Sequence, residues 1–300
     1  MTQIHMQPTF AGPLNRKEGD SSVGKCQSVR IGAVSYLNTK PLIFGLEEAL
    51  GERDKLSLAL PSQLATKLAS GEIDIGLIPV VEYFRHAEFQ IVSDAVIACR
   101  GPVWSVRVFF RCEPSQVKTL ALDEGSRTSV ALVRILLKER FGLSPRLLPF
   151  PLDVDAETVA ADAVLMIGDR AMHPPAGFSQ EWDLGDEWCR WAELPFVFAM
   201  WVTRQGSLLE LSEIEVALGR ARDEGVAHLA EIAQRESASV GLTREQCLSY
   251  LRDNLYFFLG PRERRGLELF QKHAIHLGLA PEGGAGILPA QKLPRERTTV

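Results

Sequence analysis

Val29-Arg30-Ile31-Gly32-Ala33-Val34-Ser35-Tyr36-Leu37-Asn38-Thr39-Lys40-Pro41-Leu42 runs from a short apolar segment through a polar turn into a helical pattern. The near-continuous apolar run, with small Gly32 and Ala33, has the character of a strand covered on both faces. Pro41 is expected to open the following helix, since a proline in the first turn loses no hydrogen bond. Leu42, Leu46 and Leu50 then form one apolar stripe. The polar turn, above all Asn38 and Thr39, is thereby placed at the carboxyl edge of a sheet, where open α/β sheets bind their ligands. Capping of the helix is the alternative role for both side chains.

Working outward, Leu56 to Leu60 alternates as a second strand, Pro61-Ser62 starts a helix with Ser62 as its cap, and Gly71 ends it. Ile73 to Val80 is a third, buried strand. The order strand, helix, strand, helix, strand predicts a parallel sheet with right-handed crossovers. Phe89 to Arg111 is rich in β-formers but breaks at Arg100-Gly101-Pro102, which marks a crossing to a second lobe. There a second series begins: strand from Thr119, helix from Ser126 to Phe141-Gly142, strands at Arg146 to Phe150 and Ala163 to Gly168. Phe196 to Thr203 returns, and Ser212 to Leu279 reads as helical, including Arg244 to Leu259 and a helix opened by Pro261. The expected division is lobe 1 over 28–103 and 200–280, lobe 2 over 104–199, with disordered segments at 1–27 and 281–300. Two lobes joined by two crossings enclose a cleft, and hinged lobes close on small ligands.

The 300 residues are 46% hydrophobic and 24% charged, the composition of a globular protein, and the net charge of -5 gives no basic field for nucleic acid. Cys26, Cys99, Cys112, Cys189 and Cys247 form no Cys-x-x-Cys pair, which points to neither zinc nor a disulfide framework and fits a reducing cytoplasm. The histidines form no metal spacing; His273 and His276 are expected on exposed helix surface. No apolar run approaches the roughly 18 residues of a membrane span, and no secretory signal opens the chain. A location inside the cell, away from the membrane, is expected.

Ser126-Arg127-Thr128-Ser129, at a helix N-terminus, offers hydroxyls and backbone donors to a carboxylate or phosphate, although the same residues serve as caps. Ser105 lies in the predicted crossing. Asp169 comes directly after a buried strand and either orders a ligand hydroxyl or caps the next segment of chain. No Gly-x-Gly-x-x-Gly succeeds the first strand, and there is no phosphate loop and no Gly-x-Ser-x-Gly elbow.

Val34 to Leu42, Gly76-Leu77-Ile78-Pro79-Val80, Gly101-Pro102-Val103-Trp104-Ser105-Val106, Ser126 to Val130 and Leu194-Pro195-Phe196-Val197-Phe198-Ala199 occur in an order and spacing similar to that of the chorismate dehydratase family of the futalosine route to menaquinone. The resemblance runs from about Val29 to Leu279. It implies an α/β, two-lobed fold of the type II periplasmic-binding-protein kind, with chorismate as small-molecule substrate and with no cofactor or metal. It places Asn38 and Ser105 at the reacting ring, and Ser35, Tyr36, Thr39, Pro79, Val80, Ser126, Arg127, Thr128, Ser129 and Asp169 in substrate binding. Cys99-Arg100 and Asp123-Glu124-Gly125 depart from the usual family pattern beside two of these segments. Two other readings share the fold: a solute-binding protein for a small carboxylate, and the sister enzyme that forms 1,4-dihydroxy-6-naphthoate and uses a cleft histidine, for which His173 is the middle-region candidate.

Overall fold

A computed structural model describes residues 28–50, 54–206 and 211–286. The expectations for 1–27 and 287–300 lie outside the described residues. In chain order the first strands are β1 (Arg30–Val34), β2 (Lys55–Ala59), β3 (Ile75–Pro79) and β4 (Phe89–Cys99), and the first helices are α1 (Leu46–Leu50), α2 (Pro61–Ser70) and α3 (Val80–Arg85). Next come β5 (Val106–Phe110), β6 (Thr119–Asp123), α4 (Arg127–Phe141), β7 (Arg146–Phe150), β8 (Ala163–Ile167), β9 (Gln180–Asp183) and α5 (Leu184–Ala192). The chain ends with β10 (Phe196–Arg204), α6 (Leu211–Ala227), α7 (Leu229–Glu236), α8 (Arg244–Ser249), β11 (Tyr256–Phe258) and α9 (Pro261–His276).

Two mixed sheets result, ordered β11-β4-β10-β3-β1-β2 and β7-β6-β8-β5-β9. β1 is parallel to β2 and β3, while β10 runs antiparallel between β3 and β4. In the second sheet β6 is parallel to β7 and β8, and β5 is antiparallel to β8 and β9. β10 lies in the first sheet along its whole length, so the chain recrosses ahead of Phe196 rather than at residue 200.

Several expected elements differ in detail. The helix does not begin at Pro41: a 3-10 turn spans Leu37–Leu42 with Pro41 inside it, and Gly45 at φ 65 separates it from α1. That left-handed residue breaks the helix, yet Leu42, Leu46 and Leu50 remain buried on one side. α2 has Leu60, not Ser62, at its N-cap position, because Pro61 occupies N1. Gly71 and Gly142 end α2 and α4 in the left-handed region, as their positions in the sequence imply. β9 and α5 have no counterpart in the sequence reading. The helical stretch expected through Leu259 ends instead in a π turn, Tyr250–Asn254, after which Tyr256–Phe258 pairs with β4.

The expected C-terminal disorder does not extend to 281–286, which pack on α3 and α9. Ala285 is buried, the Tyr83 hydroxyl donates to the Gly286 carbonyl at 3.0 Å and Gln271 Nε2 to Ala285 O at 2.9 Å. Among the described residues no helix is long and apolar enough to cross a membrane.

The turn after β1 is held from below by α6. A Cβ on Gly225 would stand 1.9 Å from the Pro41 carbonyl oxygen, so only glycine lets this helix backbone lie against the turn.

Candidate active site

Between the two sheets, at the carboxyl ends of β1 and β3, lies a small cavity of ≈ 50 Å³ walled by Tyr36, Asn38 and Pro79 from the first lobe. Ser105, Ser126, Thr128, Ser129 and Gly168 face them from the second, with Val34, Pro61, Ile97, Val103, Val106, Ile167, Phe198 and Ala199 completing the walls. No charged side chain lines it among the described residues. A groove of ≈ 650 Å³ beside Lys40, Phe44, Leu58 and Arg235 is larger, but its basic side chains are paired, Lys40 to Glu236 and Arg235 to Glu231. The central cavity instead gathers buried hydroxyls that lack partners: Tyr36 Oη and Ser105 Oγ. Groups of this kind carry a desolvation cost that a polar ligand can offset.

Each wall has a local cause. Tyr36 stands at the N-cap position of the 3-10 turn without any side-chain cap, and Asn38 lies inside the turn. The capping role for Asn38 is therefore not the one it plays; its Oδ1 accepts only a long bond, 3.4 Å, from the Thr39 hydroxyl. Tyr36 reaches across to lie on Gly168, which has φ 66 and whose Cβ would be 2.8 Å from the ring, so a side chain there would displace the tyrosine. Burial first, then the Asp123 and Asp169 carboxylates, push the Tyr36 phenol up and keep it protonated.

Ser105 is almost wholly buried, accepts Gly168 N–H at its carbonyl (2.8 Å) and sits just after Trp104, whose φ is 61. A bulky residue in that region is strained and must be held. Asp183 holds it: one carboxylate oxygen accepts Trp104 N–H at 2.6 Å, the other accepts Val103, Gly185 and Asp186 N–H at 2.9, 3.0 and 3.1 Å. Burial pushes the Asp183 carboxyl above its ordinary value, and these four donors pull against that rise.

At α4, Ser126 is both cap and wall. Its Oγ accepts Ser129 N–H (3.1 Å) and donates to Ser129 Oγ (2.7 Å), and the N-terminus of this 15-residue helix faces the cavity. Thr128 Oγ1 accepts Val81 N–H at 3.3 Å, tying the lobes together.

The remaining expected site residues stand outside the cavity walls. Arg127 pairs with Glu82 at 2.8 Å, an ion pair between lobes. Asp169 accepts Leu37 N–H at 3.1 Å, a third tie between lobes. Ser35 is exposed while its N–H closes onto Ala59 O; Thr39 and Val80 are buried behind the walls. Gly168 and Phe198 were missed as walls, although Gly168 precedes Asp169 and Phe198 falls in a motif already singled out.

Two α/β lobes flanking a cavity define the two-lobed fold of the periplasmic-binding-protein kind, and solved structures agree. A protein from Archaeoglobus fulgidus superposes with a TM-score of 0.66 at 17% identity, covering 85% of this chain and 100% of its own. The periplasmic aliphatic sulphonate binding protein of Escherichia coli gives 0.56 at 14%, covering 91% and 97%. Residues 29–276 match the family described as Menaquinone biosynthesis, and the chain belongs to that family. It is also 32% identical over 270 residues to the chorismate dehydratase of Thermus thermophilus, covering 84% of this chain and 96% of that one.

Proposed function

We propose that this protein is a carbon–oxygen lyase that eliminates water from chorismate to give 3-[(1-carboxyvinyl)oxy]benzoate, the first step of the futalosine route to menaquinone, in the cytoplasm. The observation that carries the reading is the convergence of Asn38, Ser105 and the N-terminus of α4 on one buried cavity, in a chain similar to a chorismate dehydratase. In this reading the α4 N-terminus with Ser126, Thr128 and Ser129 takes a substrate carboxylate. Asn38 and Ser105 hydrogen-bond the ring oxygens. The ring C–H electrons become part of the aromatic system as the C–O bond breaks, and the departing oxygen leaves with its bonding pair. A carboxylate of the substrate takes the ring proton, which leaves with that oxygen as water. The product is aromatic, so orientation and one proton transfer are what the protein has to supply. The sister-enzyme reading loses its histidine, because His173 is exposed and its Nε2 is within 2.9 Å of Val240 O, away from the cavity walls.

Incubation of purified protein with chorismate, followed by chromatography, tests the reading. Formation of the enolpyruvyl benzoate is expected. Folded protein that binds chorismate without converting it would instead identify a receptor.

A further inference from the structure

Behind the cavity lies a third buried side chain whose hydroxyl lacks a partner. Tyr250 is fully buried and is the first residue of the π turn that interrupts the helix after α8. Single π turns of this sort are concentrated at functional positions. Its ring packs edge-on against strained Trp104, with centroids 5.8 Å apart at 68°, and Asn254 of the same turn donates to Pro102 O at 3.0 Å. The turn is thus fastened to the crossing segment that carries Ser105. The Tyr250 hydroxyl lies beside both Ser105 and the Asn38 amide. Even so, neither it nor Ser105 Oγ completes a hydrogen bond within the protein. Phenylalanine would fill the same volume without burying an unpaired hydroxyl.

Resting on the dehydration reading above, we propose that Tyr250 is a positioning residue: with substrate in place its phenol donates to Ser105 Oγ and turns the Ser105 proton toward the departing ring oxygen. The proposed chain runs from the amide to the cavity. Asn38 Nδ2 donates to Tyr250 Oη, Tyr250 donates to Ser105, and Ser105 donates into the cavity, each bond polarising the next. Burial drives the phenol's pKa upward, so it stays a donor throughout the working range. No proton is transferred through the chain; it only fixes which way Ser105 points.

The test is a double-mutant cycle on chorismate turnover with wild type, Tyr250→Phe, Ser105→Ala and the double variant. Tyr250→Phe is expected to keep the wild-type melting temperature and KM while kcat falls about ten- to a hundredfold, the scale of one well-placed hydrogen bond. Because Tyr250 acts through Ser105, the double variant is expected to be no slower than Ser105→Ala alone. An undiminished kcat, effects that multiply, or a Phe variant that unfolds would each overturn the role of Tyr250 while leaving the dehydratase reading standing. Wild-type protein that leaves chorismate unchanged would overturn that reading, and the role of Tyr250 with it.

Discussion

At the scale of single residues, Asn38 and Asp183 lend themselves to separable tests. Asn38 lies inside the 3-10 turn and caps nothing, so Asn38→Asp should leave the fold and melting temperature near wild type. The change removes a donor and sets a charge toward an anionic substrate. Dehydration is expected to fall by on the order of a hundredfold, comparable to the loss of one transition-state hydrogen bond; a near wild-type rate would remove Asn38 from the site. Asp183 acts at a distance. In Asp183→Asn the amide oxygen can still accept Val103, Gly185 and Asp186 N–H, but the amide nitrogen meets Trp104 N–H donor to donor. One buried N–H is orphaned at a cost of about 1–3 kcal/mol, and it belongs to the strained residue beside Ser105. Both a lower melting temperature and slower turnover are expected, and a variant that melts lower but turns over normally would detach Trp104 from catalysis. Asn38 and Ser126 were legible because strand-to-helix turns announce themselves in sequence. Tyr250 and Asp183 were not, since each acts across a long separation in the chain that no local pattern records.

Among the elements, those with clear period and punctuation were read closely. β1, β3 and α4 are a continuous apolar run, another such run, and a helix bounded by Ser126 and Gly142. β9 and β11 escaped because they are only four and three residues long and take their identity from a neighbouring strand rather than from alternation. Asp162 illustrates how a strand end is secured. Its Oδ2 accepts Lys118 N–H, Thr119 N–H and the Thr119 hydroxyl at 2.9, 2.8 and 2.9 Å, joining the starts of β6 and β8. Burial alone would raise this carboxyl, but the donors outweigh it and hold it below its ordinary value. A depressed folded-state pKa contributes stability above the unfolded pKa of roughly 4, lost as pH falls through the folded value. Wild type should therefore exceed Asp162→Asn in stability at neutral pH, with the gap closing under acid. Denaturant melts of both proteins at several pH values measure it; a gap that persists unchanged in acid would contradict the assignment.

On the scale of the whole molecule, the cavity of ≈ 50 Å³ is well below the roughly 300 Å³ that small-ligand sites begin at. The lobes must part for chorismate to enter. The polar ties between them include Arg127 to Glu82, Leu37 N–H to Asp169, Val81 N–H to Thr128, His173 to Val240 O and His273 to Glu139. Arg127 is partly exposed, so its pair contributes ~0–1 kcal/mol to stability. That is enough to shift a balance between open and closed forms. Arg127→Ala should keep its melting temperature while small-angle scattering reports a larger radius of gyration without ligand; an unchanged radius would show that the pair does not hold the cleft shut.

The same topology governs how the chain reaches its native state. β4 and β10 are neighbours with Phe196 opposite Cys99, yet all of the second sheet lies between them in the sequence. Until that insert has collapsed, closing so long a loop is entropically costly, whereas the second sheet draws its strands from one uninterrupted stretch. The inserted lobe should fold first and hand its two ends to the first sheet already side by side. Trp182 is buried in the insert and Trp201 in β10. In stopped-flow refolding of variants that keep one of these indoles and replace the protein's other tryptophans by phenylalanine, the Trp182 signal should reach its native value in an earlier phase than that of Trp201. Simultaneous recovery in one phase would mean that the two lobes fold as a single unit.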